Sequence, residues 1–551
     1  MTVDSPYALP GIIGVTVATL GLGAYGYRLS RTTPDFFVAS RMVSPRWNAS
    51  AIGGEYLSAA SFLGVAGLIM KYGADVLWYP VGFTTGYLAL LLFVAAPLRR
   101  SGAYTLPDFA ELRLHSRRLR KLASAFVVII GWLYLVPQLQ GAGLTLSTVT
   151  GAPDWLGAVV VGIVVTANVA SGGMRAITFV QAFQYWLKLT AICLPAFVII
   201  AHWHGAGQPN VPAPSSWITP LGGIGGGHPL FATYSLILAT FLGTMGLPHV
   251  LVRFYTNPDG RQARQTTLVV LCLLGGFYLF PTVYGALGRL YAPQLLAPGG
   301  DTDAVVLVLP GAAVPGAAGQ LLTGLVAAGA FAAFLSTSSG LLVSVAGVLS
   351  TDVVGHGPAQ DGSVRNFRRA AMLAGVVPLI LALRVRDLDV SQVVGLAFAV
   401  AASSFCPLLV LGIWWRRLTA WGAAAGLLVG GGLSGMAVLA TVFLSPQLSG
   451  WPAALLAEPA AWTVPVSFLV MVLVSRLTGS RVPRDVGRTM LQLHAPERAG
   501  LRPATPPSPP RTGRRALPIP RQTAVTPPAE AITERDSDDP SSGVSRVTGR
   551  S

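Results

Sequence analysis

Charge is scarce in this sequence: Asp, Glu, Lys and Arg make up 11% of its 551 residues, with seven histidines and three cysteines. A polar, water-facing shell over the whole chain is thereby excluded. The cysteines, Cys193, Cys272 and Cys406, fall inside apolar runs without metal-ligand spacing, which argues against a disulfide framework and a zinc site. A membrane-embedded enzyme needs His, Asp, Glu or Cys clustered at one depth. The apolar runs offer only scattered cases, Glu55, Lys188 and His249, so no catalytic residue is assigned and the chain is not read as an enzyme. The first apolar run, near Leu9 to Tyr27, lacks a basic region ahead of it, and a cleaved signal peptide is not expected. The net charge of +16 sits in short loops and the C-terminal tail rather than on one amphipathic face, so the membrane accounts for it and nucleic acid is not an expected partner.

What the chain has in abundance is hydrocarbon. It is 52% hydrophobic with a mean hydropathy of +0.60, and about thirteen apolar runs approach the roughly 20 residues that cross a bilayer. The expected class is therefore all-α: a polytopic protein of the cell membrane with the lipid bilayer as its solvent. Lysine and arginine alternate between loops. Arg28 to Arg46, Arg99 to Lys121, Arg175, Arg253 to Arg264, Arg365 to Arg369 and Arg416–Arg417 share one side, with Lys71, Arg289, Arg384 and Arg386 as exceptions. By the positive-inside rule the N-terminus lies outside and the C-terminus in the cytoplasm. From 479 to 551 the Pro-, Arg- and Ser-rich composition predicts a disordered tail, too short and too polar for a signalling module.

The chain's organising stretch is Gly53-Gly54-Glu55-Tyr56-Leu57-Ser58-Ala59-Ala60-Ser61. A carboxylate within a span costs on the order of 2.5–3.5 kcal/mol on insertion scales and marks a functional hypothesis whose partner must be found. The paired glycines weaken the helix by roughly 1 kcal/mol each. The pattern predicts a helix that breaks between Gly53 and Ser58, releasing carbonyls for a cation and amides for an anion, which is tolerated only inside protein or beside a cavity. Gly243-Thr244-Met245-Gly246-Leu247-Pro248-His249 predicts a second break. With the first span set aside, these two helices open two five-span units of opposite orientation, the pattern of an inverted-repeat secondary transporter. The competing reading is that the glycines serve close helix packing. Four hydroxyls in a row, Ser336 to Ser339, lie in a later span. Sodium, a hard cation, prefers oxygen ligands by analogy with calcium and magnesium. Ser336 and Thr337, the Ala333 carbonyl and the carbonyls of Gly54 and Leu57 supply five.

These segments resemble the sodium:solute symporter family, and within it the cation/acetate and monocarboxylate branch. The resemblance is carried by Pro34 to Arg41, Ser58 to Gly64, Tyr104 to Phe109, Gly172 to Ala176, Gly243 to Phe254 and Ala332 to Ser339. It implies a leucine-transporter-type five-plus-five inverted repeat: an extra helix in 1–30, repeats at 31–204 and 205–413, two further helices in 414–478, then the tail. It also implies a sodium site at the positions of Gly54, Leu57, Ala333, Ser336 and Thr337. Acetate-type members usually carry an aspartate where this chain has Glu55, and proline-type members an aspartate at the position of Tyr56, so proline is not the expected solute.

Tyr56, Ser58, Ser61, Gln138 and Thr244 are the candidate hydrogen-bonding groups for a small carboxylate, with half-helix amides supplying positive potential. Glu55 is the candidate coupling residue, and His249 and Arg253 follow the second break toward the cytoplasm. The expected function is sodium-coupled symport of a small monocarboxylate such as acetate, with Na+ as coupling ion and no organic cofactor. A proton carried on Glu55, and solutes such as pyruvate, propionate, an amino acid, pantothenate or a sugar, are the alternatives; a membrane sensor is a remoter one.

Overall fold

A computed structural model describes residues 5–29, 43–222, 224, 227–354, 360–384, 390–444 and 448–496. The architecture is helical. Eleven described helices are long and apolar enough to span a bilayer. Two of these exceed one crossing. Asp154–Gly205 has 52 residues, about 78 Å at 1.5 Å per residue against a hydrocarbon core of about 30 Å. It divides at Gly173, where φ is 61° and ψ is −168°, a conformation open to glycine and strained for other residues. The apolar stretch Ala60–Arg100 is likewise interrupted, by the 3₁₀ turn Gly73–Leu77.

The helices that build the site are α1 (Ala8–Leu29), α2 (Pro45–Tyr56), α3 (Val65–Tyr72), α4 (Trp78–Ala89), α5 (Arg117–Thr150), α6 (Asp154–Gly205), α7 (Pro229–Gly246), α8 (Pro248–Val252), α9 (Gly260–Tyr291), α10 (Gly316–Leu349) and α11 (Val390–Trp414). α10 is the central one. It packs against α6, α5 and α1, and within the span that contains it 94% of the most apolar window is buried. Every residue from Asn48 to Met70 is buried as well, so the stretch carrying Glu55 lies inside protein, an environment that tolerates a broken backbone.

Several of the arginines that the loop pattern groups together are anchored by hydrogen bonds and ion pairs. Arg99 donates to the Pro258 carbonyl at 2.6 Å, Arg113 to those of Gly412 at 2.9 Å and Trp415 at 3.1 Å, and Arg120 pairs with Asp108 at 2.9 Å, Glu111 at 2.8 Å and Asp352 at 2.7 Å. Asp75 accepts from the Leu221 amide at 2.7 Å. Arg289, an exception to the charge pattern, is held by the carbonyls of Met70 at 2.6 Å and Pro212 at 2.7 Å.

One expectation is corrected. The segment 479–496, read as the start of a disordered tail, contains a 3₁₀ turn at Gly479–Arg481 and a helix, α12 (Val486–His494). α12 buries Met490 and Leu493, and the Leu493 and His494 carbonyls accept from Arg100 at 3.5 and 3.3 Å. Met490 and Leu493, three residues apart, lie on one helical face, a spacing that the overall polarity of the segment conceals. Residues 497–551 lie outside the described residues.

Candidate functional site

The expected first break is present. α2 ends at Tyr56, Leu57 leaves the helical region with φ −72° and ψ 87°, and the chain re-enters helix through a π turn at Ala60–Gly64. Carbonyls freed there are bound from outside the helix. Thr337 donates to the Glu55 carbonyl at 2.7 Å. The Ser336 hydroxyl lies 2.6 Å from the Gly54 carbonyl and 3.0 Å from that of Ala333. The second break falls at Leu247, with φ −71° and ψ 115°, between α7 and α8, and Pro248 takes the first helical position, where its missing N–H costs nothing. Tyr56 Oη and Thr244 Oγ1, 2.8 Å apart, join the two breaks.

Three of the five residues expected to hold sodium, Gly54, Leu57 and Ser336, meet around one point that Lys188 of α6 fills, and the carbonyl of a fourth, Ala333, lies 3.0 Å from the Ser336 hydroxyl. Lys188 Nζ donates to the Leu57 carbonyl at 2.7 Å, to Ser336 Oγ at 2.8 Å and to the Gly54 carbonyl. The fifth, Thr337, is adjacent in sequence but directs its hydroxyl to Glu55 O. Sequence reasoning found these oxygens and missed the ammonium among them, treating Lys188 as an isolated charge. The available signal was its register: Gln181, Gln184, Tyr185 and Lys188 recur at i, i+3, i+4 and i+7, a polar stripe on one face of an apolar helix.

Glu55 is not a solitary carboxylate. Its Oε2 pairs with Arg253 Nε at 2.6 Å, with both residues 1% exposed. Arg253 also donates to Thr178 Oγ1 at 2.8 Å and to Gln181 Oε1, while Gln181 Nε2 donates to the Ser336 carbonyl at 2.7 Å. One network of charge-assisted hydrogen bonds therefore joins α2, α6, α10 and the 3₁₀ turn Arg253–Thr256 after α8.

The expected substrate groups divide. Gln138 Oε1 accepts from the Ala59 amide at 2.8 Å, so one of the amides expected to face an anion is occupied. Ser61 Oγ lies 2.8 Å from Tyr278 Oη. Tyr56 and Thr244 face each other across the breaks, and Ser58 is fully buried. Around Tyr56 stand Tyr87 at 4.9 Å, Phe83 at 5.7 Å and Phe398 at 6.2 Å between ring centroids. Tyr134 lies 5.7 Å from Phe398 and 5.3 Å from His249. The Tyr87 hydroxyl and both His249 nitrogens are buried without a hydrogen-bond partner. Such groups are costly inside a protein and are available to a small polar ligand. The aromatic wall escaped the sequence reading because its members come from four separate helices. Among the described residues no group of three or more His, Cys, Asp or Glu is placed to hold a metal.

Two discontinuous helices joined at their breaks beside a buried central helix define a secondary transporter of the leucine-transporter-type, five-plus-five inverted-repeat fold. The chain belongs to the sodium:solute symporter family, whose model matches residues 36–430. It is 32% identical over 477 residues to an uncharacterized symporter, YwcA, of Bacillus subtilis (strain 168), covering 83% of this chain and 91% of that protein. Its fold is similar to that of a Na+-coupled sialic acid symporter in a substrate-bound outward-open state, with a TM-score of 0.65 at 16% identity over 86% of this chain and 97% of the other. It is also similar to a nucleobase-cation-symport-1 family transporter in a closed conformation, with a TM-score of 0.52 at 14% identity over 83% and 98%.

Proposed function

We propose that this membrane transporter carries a small monocarboxylate, acetate being the type case, together with a cation by alternating access, and that the repeats at 31–204 and 205–413 move about the two breaks. The observation that carries the substrate class is a charge count. Lys188 and Arg253 bring two formal positive charges to the first break and Glu55 one negative charge, all three fully or almost fully buried. Counted formally, one positive charge is left over beside the buried polar groups of Tyr56, Ser58, Ser61, Gln138 and Thr244, which stand among aromatic rings. A buried net charge is costly, and a bound monocarboxylate offsets it. Neither cation need clamp the substrate, because the Lys188 ammonium is spent on the cage and the Arg253 guanidinium on Glu55, Thr178 and Gln181. Release on the far side then stays easy.

The family supports a cation partner, and sodium is the coupling ion we propose, with its site distinct from the oxygen cage that Lys188 fills. Glu55, paired to Arg253, serves coupling by joining the half-helices rather than by carrying a proton. In the proposed orientation the N-terminus is outside and the arginine-rich face cytoplasmic. Uptake into vesicles reconstituted with the purified chain, using labelled acetate, propionate, pyruvate, proline, pantothenate and glucose, tests the assignment. Saturable acetate uptake competed by propionate and pyruvate is expected. Uptake of only a neutral or zwitterionic solute contradicts it.

A further inference from the structure

We infer that the oxygen cage at the first break is filled by the chain's own Lys188 ammonium and does not take sodium. The inference deepens the symporter reading, from which it borrows only the expectation that a sodium ion would be sought at these residues.

An ammonium has three N–H donors and no acceptor. At Lys188 all three are spent, on the Leu57 carbonyl, on Ser336 Oγ and on the Gly54 carbonyl. Those acceptors are three of the five oxygens that would hold sodium. The fourth, the Ala333 carbonyl, lies 3.0 Å from the Ser336 hydroxyl, and the fifth, Thr337 Oγ1, is committed to Glu55 O. A sodium ion drawing on this set would have to stand where Nζ stands. The charged neighbours do not compensate for a second cation there: Glu55 is the carboxylate beside the break, and Arg253 already engages it at 2.6 Å. Lys188 is 0% exposed, and its ammonium is tethered to α6 by a four-carbon stem. A free ion can leave the cage for solution, whereas this cation can only swing out of it. Position 188 therefore sets cation specificity here: lysine supplies a resident positive charge that ties the broken α2 to α10, and a small side chain at 188 would uncover an oxygen cage open to sodium.

The test is the melting temperature of the full-length purified chain in detergent as choline chloride is replaced by sodium chloride at constant ionic strength, for the wild type and for Lys188→Ala, Ser336→Ala and the double variant. A ligand that binds only the folded state raises its melting temperature saturably. K188A is expected to gain a sodium-dependent rise of about 2 °C or more over the wild type, and the double variant to lose that gain. S336A should leave the wild-type sodium response unchanged. A K188A response equal to that of the wild type, or a wild-type sodium response abolished by S336A, overturns the inference. If K188A does not fold, the wild type and S336A decide it between them. No substrate enters this readout. A chain that gives the predicted sodium response but does not move acetate counts against the substrate class and leaves the cage assignment standing.

Discussion

Glu55 and Arg253 show what a buried charge demands. Each is 1% exposed, and each finds the other at 2.6 Å. Removing one partner of a buried pair strands the other at a cost of about 3–5 kcal/mol, whereas replacing both with apolar groups is often nearly neutral. Arg253→Met is therefore expected to lower the melting temperature sharply, and Glu55→Leu/Arg253→Met to recover a large part of the loss. Equal destabilisation in the single and double variants would contradict a mutually compensating pair. The same reasoning was open to the sequence. Glu55 stood out as needing a partner, but Arg253 is 198 residues away, and nothing in local spacing links them. Lys188 was the easier case. A lysine in the run Ala176 to Trp203 demands acceptors, and its helical stripe with Gln181 points toward the interior. The acceptors themselves, Gly54, Leu57 and Ser336, were legible as oxygens released by a break. At about 3 Å and an effective dielectric near 20, a second unit charge beside that ammonium would be repelled by about 5 kcal/mol.

At the scale of the element, the breaks depend on close approach. A Cβ on Gly54 would collide with the Gln181 carbonyl of α6, and one on Gly340 with the Glu55 carboxyl, whereas the glycine at 275 in α9 has open space around it. Gly54→Ala forces α2 away from α6 at a cost of about 1–3 kcal/mol and opens the cage. It is expected to abolish transport while leaving a monodisperse protein. Gly275→Ala should transport as the wild type and, by helix propensity, melt at an equal or slightly higher temperature. Uptake and size-exclusion profiles of the two variants decide this; full activity in G54A would contradict the packing account. The positions of both breaks were readable because glycine and proline weaken a helix through the backbone, which sequence displays directly. The aromatic wall of Tyr56, Phe83, Tyr87, Tyr134 and Phe398 was not, because aromatic residues in apolar helices look alike whether they face a chamber, a neighbouring helix or lipid.

For the molecule as a whole, composition displayed the membrane class, since it follows from solvent preference rather than pairing. α12 was missed because nine residues of low mean hydropathy acquire structure only by docking Met490 and Leu493. Glu458, between two spans, lies on a cavity of about 500 Å³ that it lines with Tyr72, Tyr79 and Gln392. Burial pushes its carboxyl up from 4.5 to about 8. Between those values the folded chain keeps a proton that the unfolded chain has lost. Its contribution is therefore fully present below pH 4.5 and declines as pH rises to about 8. Glu458→Gln should flatten this component of the melting temperature against pH. An unchanged slope would contradict the assignment.

The central claim, that the two broken helices form an anion-selective site, is tested most directly by solute counterflow, which needs no ion gradient. Vesicles carrying the purified chain, loaded with unlabelled acetate and diluted into trace labelled acetate, are predicted to accumulate label transiently, with propionate inside substituting for acetate and acetamide failing to do so. Equal exchange with acetamide, or no exchange with any monocarboxylate while another solute on the panel exchanges, would contradict it.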